Sequence, residues 1–386
     1  MTLALSALVL PDRHPVSTFL AEVQEAERAG VRAVWTYDHL TWPLLADGPW
    51  YGAVPLLAAA AAVTDRVRLG TQVASPNVRH PVPFAKELMT LDQLSGGRLE
   101  LGVGVGTEGP DALVLGEAPR SRRERADRFG EWLGLLDQLL REPVTTAHGQ
   151  FYDAVDAHQL PGCVQQPRLP FTVAATGPKA LRLAARHGQA WVTYGPFGAA
   201  VEPEEWFTAV AEQSGRLTEA LAEEGRAPGD VRRTVQFGLE MYWPFESAER
   251  YADTLGRLAE AGVAEVSVHW PRPDGRGLPP AALPLVAAAH GLRAGQWPRS
   301  RSDGHGRVSL CAAGRTGRMA RLPNRAPVPG CSSPRWRSGP ATATTWSARR
   351  CSSRCPRVRR GPDRVRSRTS SARGSSRRRG RRRWSR

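Results

Sequence analysis

Ser95-Gly96-Gly97-Arg98-Leu99-Glu100-Leu101-Gly102-Val103-Gly104-Val105-Gly106-Thr107-Glu108 holds one strand between two sets of glycines. Gly96-Gly97 makes a turn that launches the run Leu99 to Val103, and Gly102, Gly104 and Gly106 then remove side chains where the chain reaches an edge. The spacing resembles the G-x-G of a nucleotide site. It lacks the dinucleotide spacing and the helix start that should follow, so alone it assigns no function. Its value lies in being one of a series. Working outward, strands are expected at Leu3 to Leu10, Ala33 to Tyr37, Val67 to Val73, Leu99 to Val103, Phe171 to Ala175, Ala190 to Tyr194, Thr234 to Tyr242 and Glu265 to Trp270.

Between these runs the apolar residues recur at three and four, the period of a helix. Val16, Leu20, Val23 and Ala26 form one such face, with Gly30 placed to end the helix; Phe129, Trp132, Leu133, Leu136 and Leu140 form another. Seven helices link eight strands, and Pro279 to Leu292 supplies an eighth. Such alternation predicts an α/β fold with a parallel sheet. The count predicts a (β/α)8 TIM barrel over residues 1–293, a length that suits a barrel of about 250 residues plus insertions. An open doubly wound sheet is the rival, because counting strands does not test closure. The surplus lies between Pro143 and Pro170, without a clear period, and is expected to make an excursion over the barrel rim.

Net charge is +16 over 386 residues, which suggests a nucleic-acid binder only if the charge is spread through the fold. It is not. Residues 294–386 carry 26 arginines and two acidic residues, so the first 293 are acidic overall, as on an ordinary enzyme surface. Rich in Arg, Ser, Pro and Gly, this basic tail is expected to be disordered. It reads either as out-of-frame translation of a GC-rich gene, the preferred reading, or as an arm that pairs with nucleic-acid phosphates. Its cysteines match no zinc spacing, and no metal is expected. Cys163 is the one cysteine of the body, which suggests a reducing, cytoplasmic compartment. The longest uncharged apolar stretch, Leu56 to Val63, is far short of the roughly 20 residues that span a bilayer, so no membrane partner is expected.

In a barrel, function sits on the loops after the strands. After the second strand, Asp38, His39 and Trp42 offer an acceptor, a group that titrates near neutral pH and a flat wall, although Asp38 also suits a turn cap and His39 a plain rim position. After the third come Thr71, Gln72 and Val73, then His80 as a neighbour of a helix cap. After the fifth, Ala175-Thr176-Gly177-Pro178-Lys179 starts a helix whose free amides suit a phosphate, or simply starts a helix.

Together Asp38-His39, the block Leu91 to Arg98 running into Leu101 to Gly104, and Ala174 to Lys179 resemble the bacterial luciferase-like monooxygenase superfamily, in the branch that uses the deazaflavin coenzyme F(420). The resemblance runs from about Leu3 to Leu292. It implies a flavin- or deazaflavin-dependent oxidoreductase that moves a hydride to or from a small organic substrate. Asp38 would hydrogen-bond the ring and His39 would be the catalytic proton donor or acceptor. The Gln72–Val73 bond falls where the family carries a non-proline cis peptide against the ring. Gly104, Gly106, Thr176, Gly177 and Lys179 would surround the polar tail and phosphate. FMN-using relatives tend to have Glu-His in place of Asp38-His39, which favours the deazaflavin. Two alternatives stand beside it: an FMN-dependent monooxygenase, and a non-catalytic barrel with a basic arm. A homodimer is compatible with either enzyme. Glu240, Tyr242, His269 and the excursion are the expected sources of substrate contacts.

Overall fold

The computed structural model describes residues 2–196 and 201–292. The tail expected over 294–386, with its disorder and its reading frame, lies outside them. The first half of the described chain runs β1 (Ala4–Leu8), α1 (Val16–Ala29), β2 (Ala33–Thr36), α2 (Ala53–Val63), β3 (Arg68–Ala74), α3 (Pro81–Ser95), β4 (Leu99–Gly104), α4 (Pro110–Val114) and α5 (Arg122–Arg141). The second runs β5 (Val144–His148), β6 (Asp153–His158), β7 (Phe171–Ala174), α6 (Pro178–His187), β8 (Ala190–Thr193), α7 (Pro203–Glu223), β9 (Arg232–Gln236), α8 (Ala248–Glu260), β10 (Glu265–His269) and α9 (Leu283–Ala289).

Eight strands close in the order β1-β10-β9-β8-β7-β4-β3-β2, each parallel to its neighbours. Ala7 pairs with Val34 on one side and Val268 on the other, so the ring has no open edge at β1, and the doubly wound alternative is excluded. Alternation along a strand sorts the side chains. Leu5, Ala7 and Val9 belong to the large core between sheet and helices, while Leu8 and Leu10 join Ala33, Trp35 and Tyr37 in a smaller cluster inside the ring.

The lower interior is ionic. Glu100, almost fully buried, accepts from Arg32, Arg68, Arg232 and the Thr172 hydroxyl. Burial alone would raise its carboxyl, but Arg32 and Arg232 hold it down at about 2. Glu265, also buried, lies 2.8 Å from both Arg32 Nε and Arg232 Nε and accepts the Ser6 hydroxyl. Removing one member would strand the others in low dielectric. Nearby, the Arg98 guanidinium donates to the carbonyls of Ala61, Thr64 and Val67. Asp92, fully buried, accepts from Gln165. The block Leu91 to Arg98 therefore builds the end of the barrel opposite the mouth.

Three expectations need correction. The segment between Pro143 and Pro170 is not the patternless excursion expected, although its Tyr152 does reach the rim, edge-on to His80. It contains an antiparallel hairpin, β5 with β6, held to the outer helices: Glu131 of α5 accepts the amides of Gln150, Phe151 and Tyr152, and Lys86 of α3 donates to the His158 carbonyl. The seventh barrel strand ends at Gln236, not Tyr242, because a turn at Gly238 and a 3-10 turn at Trp243–Phe245 take over. On α1 the buried face is Phe19, Val23, Ala26 and Ala29, with Val16 and Leu20 only half-buried. The eighth helix does close the ring: His290 bonds the Leu3 carbonyl at 2.8 Å and the Tyr251 hydroxyl at 2.8 Å.

Candidate functional site

The loops after β2, β3, β4 and β7 leave four strands that are adjacent in the ring, so they share one sector of the mouth. Asp38 and His39 follow β2 directly. Asp38 is buried and fully engaged: Arg79, from the loop after β3, grips both carboxylate oxygens at 2.9 and 2.6 Å. Such a two-point pair is strong and directional. Asp38 thus reaches any ring as half of an ion pair, which the motif did not reveal.

His39 has a partner of its own. Asp111, buried at the start of α4, receives His39 Nδ1 through one oxygen; its other oxygen accepts the amides of Leu40 at 2.9 Å and Thr41 at 3.1 Å. As an acceptor, the carboxylate favours the tautomer with hydrogen on Nδ1, which leaves Nε2 without one. Asp111 lies 72 positions from His39 on another loop, and sequence reading missed it. Trp42 lies tilted against His39 with centroids 4.9 Å apart, and Tyr37 closes the group, 5.2 Å from Trp42. Trp50 donates its indole N–H to the His39 carbonyl at 2.8 Å.

One step around the ring, the Gln72–Val73 peptide is cis. Thr71 is spent on structure, its hydroxyl donating to the Gly102 carbonyl at 2.7 Å. Gly104 ends β4 opposite Ala174; a Cβ there would lie 2.8 Å from Val73 Cγ2, so only glycine lets β4 lie against this bulge. Gly106 follows at φ +82° with Asn77 packed on it. A small cleft opens beside it, lined by Asn77, Thr107 and the arginines Arg120, Arg125 and Arg128.

Past Ala174, Ala175 is buried, its carbonyl accepting the Trp191 indole at 2.7 Å, while Thr176, Gly177, Pro178 and Lys179 are exposed. Gly177 caps α6 with no side chain on the first amides, and nothing stands within 4 Å of the place a Cβ would take. Lys179 is paired with Asp127 of α5. His80, expected beside a cap, is itself the cap of α3, accepting the Val82 amide at 3.3 Å.

Deeper on the axis, His269 ends β10 and is buried against Tyr37 and Gln236, with Nε2 3.3 Å from the Tyr37 hydroxyl. Burial, then the cations of Arg272 and Arg13, depress its pKa to about 3, so the ring is neutral. Burial also raises the Tyr37 hydroxyl. Glu240 and Tyr242, by contrast, are exposed on the loop after β9. Around this level Gln72 Nε2, Trp42 Nε1, Gln236 Oε1 and His269 Nδ1 are buried with no hydrogen-bond partner. Unmatched donors and acceptors of this sort suit a flat molecule with polar edges. Among the described residues no cluster of His, Cys, Asp and Glu could hold a metal, and no helix is long and apolar enough to cross a membrane.

The profile of the luciferase-like monooxygenase family matches residues 3–269. A protein of Beutenbergia cavernae named F(420)-dependent glucose-6-phosphate dehydrogenase is 37% identical over 207 residues, 53% of this chain and 60% of that protein. A namesake from Kineococcus radiotolerans is 34% identical over 218 residues, 56% of this chain and 61% of the relative. The chain thus spans about three fifths of the length of these curated relatives. Among solved structures, the coenzyme F(420)-dependent tetrahydromethanopterin reductase of Methanopyrus kandleri superposes with a TM-score of 0.59 at 19% identity, covering 74% of this chain and 98% of that one. An F(420)-dependent secondary alcohol dehydrogenase gives 0.59 at 18%, covering 70% and 93%. Both likenesses speak to the fold.

Proposed function

The chain belongs to the luciferase-like monooxygenase family, and we propose that it is a deazaflavin (coenzyme F(420))-dependent oxidoreductase acting on a small organic substrate. The observation that carries this is the His39–Asp111 pair and the cis Gln72–Val73 peptide on neighbouring strands of one barrel mouth. The names of the sequence relatives, several of them F(420)-dependent dehydrogenases, support the choice of coenzyme. A lone body cysteine, Cys163, buried and with its thiol raised by burial, suits a reducing cytoplasm.

The residues present fit the coenzyme. Gln72, Val73 and Gly104 would back the ring, the Asp38–Arg79 pair would meet its polar edge, and Gly106, Thr176, Gly177 and Lys179 would receive its tail and phosphate. When bound, the deazaflavin supplies a ring carbon that takes or gives a hydride, which is two-electron chemistry. The chain's own part is proton handling and exclusion of water. His39 Nε2 takes the proton of an alcohol on oxidation, or returns it on reduction, while Asp111 stabilises the imidazolium. Tyr37, Trp42 and Trp50 form the dry wall around that exchange.

Titration of the full chain with F(420) and, separately, with FMN tests the reading through quenching of each cofactor's fluorescence. Saturable binding of the deazaflavin alone is expected. Tight FMN binding with substrate-dependent oxygen uptake would replace it with the monooxygenase reading. Binding of neither, with RNA bound steeply dependent on salt, would leave a barrel that serves a basic arm.

A further inference from the structure

The loops that ring the mouth between each strand and the helix that follows contain ten acidic residues, five arginines and no lysine. Every one of those arginines is already matched. Arg13 meets Glu22 at 2.7 Å, Arg79 meets Asp38 at 2.6 Å, and Arg120 meets Glu117 at 2.7 Å. Arg272 lies 2.8 Å from Asp12 and 2.7 Å from Asp274, and Arg276 lies 3.0 Å from the same Asp274. The loop after β8, Tyr194 to Glu202, brings no cation by sequence. A phosphate or carboxylate entering between these loops would find no unpaired cation and a surplus of negative charge, away from the bare first turn of α6 that would take the coenzyme's phosphate.

The uncharged material at the mouth is apolar. Half of the large apolar side chains left exposed among the described residues sit on these loops: Leu40, Leu44, Leu113, Val114, Leu115 and Tyr242, each 40–57% exposed. The first five flank the His39–Asp111 pair in the chain. Behind them the inner cluster continues outward through Trp42, Leu45, Trp50 and Leu239. An apolar rim leading to one imidazole nitrogen selects by burial, not by ion pairing.

From these two observations we propose that the substrate is an uncharged alcohol or carbonyl compound with an apolar body, and that phosphorylated substrates are turned away. This rests on the oxidoreductase reading above, because His39 Nε2 is taken as the group that meets the substrate oxygen. The discrimination lies in this chain's own loops.

The test is calorimetric titration of the full chain with a series of 2-alkanones and with a hexose phosphate. Each is run with and without F(420), whose binding is first scored by fluorescence in the same sample. Affinity is expected to rise about threefold per added methylene, with no heat from the hexose phosphate. Two variants away from the catalytic pair sharpen it. Leu44→Asp, at an exposed position, is expected to weaken the longer ketones about threefold or more. Asp274→Asn, which loosens Arg272 and Arg276, is expected to admit the hexose phosphate with about a tenfold gain. Deazaflavin binding with hexose phosphate held as well as ketones, or ketone affinity that ignores chain length, overturns the substrate class and leaves the coenzyme reading intact. Ketones that climb in affinity without deazaflavin binding sink the coenzyme reading instead and leave the apolar site.

Discussion

The two sides of the barrel mouth are made of different materials. Around β3, β4 and β7 the surface includes bare backbone, in the cis Gln72–Val73 peptide, Gly104, Gly106 and the uncapped first turn of α6, beside the arginine-lined cleft. Around β2, β9 and β10 it is side chain: Tyr37, His39, Trp42 and Trp50 above a neutral His269. Backbone amides and missing Cβ atoms suit a ligand that never varies, since little there can mutate without disturbing the sheet. Side chains on long loops suit a ligand that differs between relatives. The contrast teaches where to expect the coenzyme and where the substrate.

The most severe break in that contrast is His39→Ala. Turnover should fall about 10²- to 10⁴-fold, with deazaflavin affinity preserved in a fluorescence titration. Equal loss of both would mean that the two sides are one. Asp111→Asn should move the pH profile of kcat as well as its height, since it acts by orienting His39.

On the other side, Gly104→Val should cut deazaflavin affinity about 10- to 100-fold by crowding Val73, with an unchanged far-ultraviolet spectrum. An altered spectrum without loss of affinity would remove Gly104 from the coenzyme's wall.

His269 offers a subtler probe. Its pKa is depressed to about 3, so the unfolded chain binds a proton that the native chain refuses once pH falls below about 6.5. Stability from this group is complete above that pH and declines toward pH 3, with a slope of up to about 1.4 kcal/mol per unit. Urea midpoints at pH 7, 6 and 5 should fall more steeply for the wild type than for His269→Asn. Parallel curves would show His269 already protonated in the fold.

Smallest is Lys179→Ala. Because Asp127 already engages this exposed ammonium, deazaflavin affinity should weaken only a few-fold, about 1 kcal/mol or less, and less again in high salt. No change at all would confine the tail's reception to the α6 amides.

How much of this the sequence disclosed follows from what each feature is made of. Fully buried parallel strands read as short apolar runs, so all eight were legible, and the glycines of β4 marked its edge. The hairpin β5–β6 was not legible, because its buried positions are Thr145, Ala154 and Ala157, too small or polar to set up an alternation. Asp38 and His39 were legible as a pair, but their partners Arg79 and Asp111 come from other loops, and nothing local ties them together. The block Leu91 to Arg98, which carries part of the family resemblance, braces the far end of the barrel. Glu100, a charge in mid-strand, was the unread clue to the ionic interior.

The ionic floor has a corollary for acid. Against the pull of burial, Arg32 and Arg232 hold the Glu100 carboxyl at about 2, so its share of the fold's stability is whole above the ordinary carboxylate range and drains away only as pH falls toward that value.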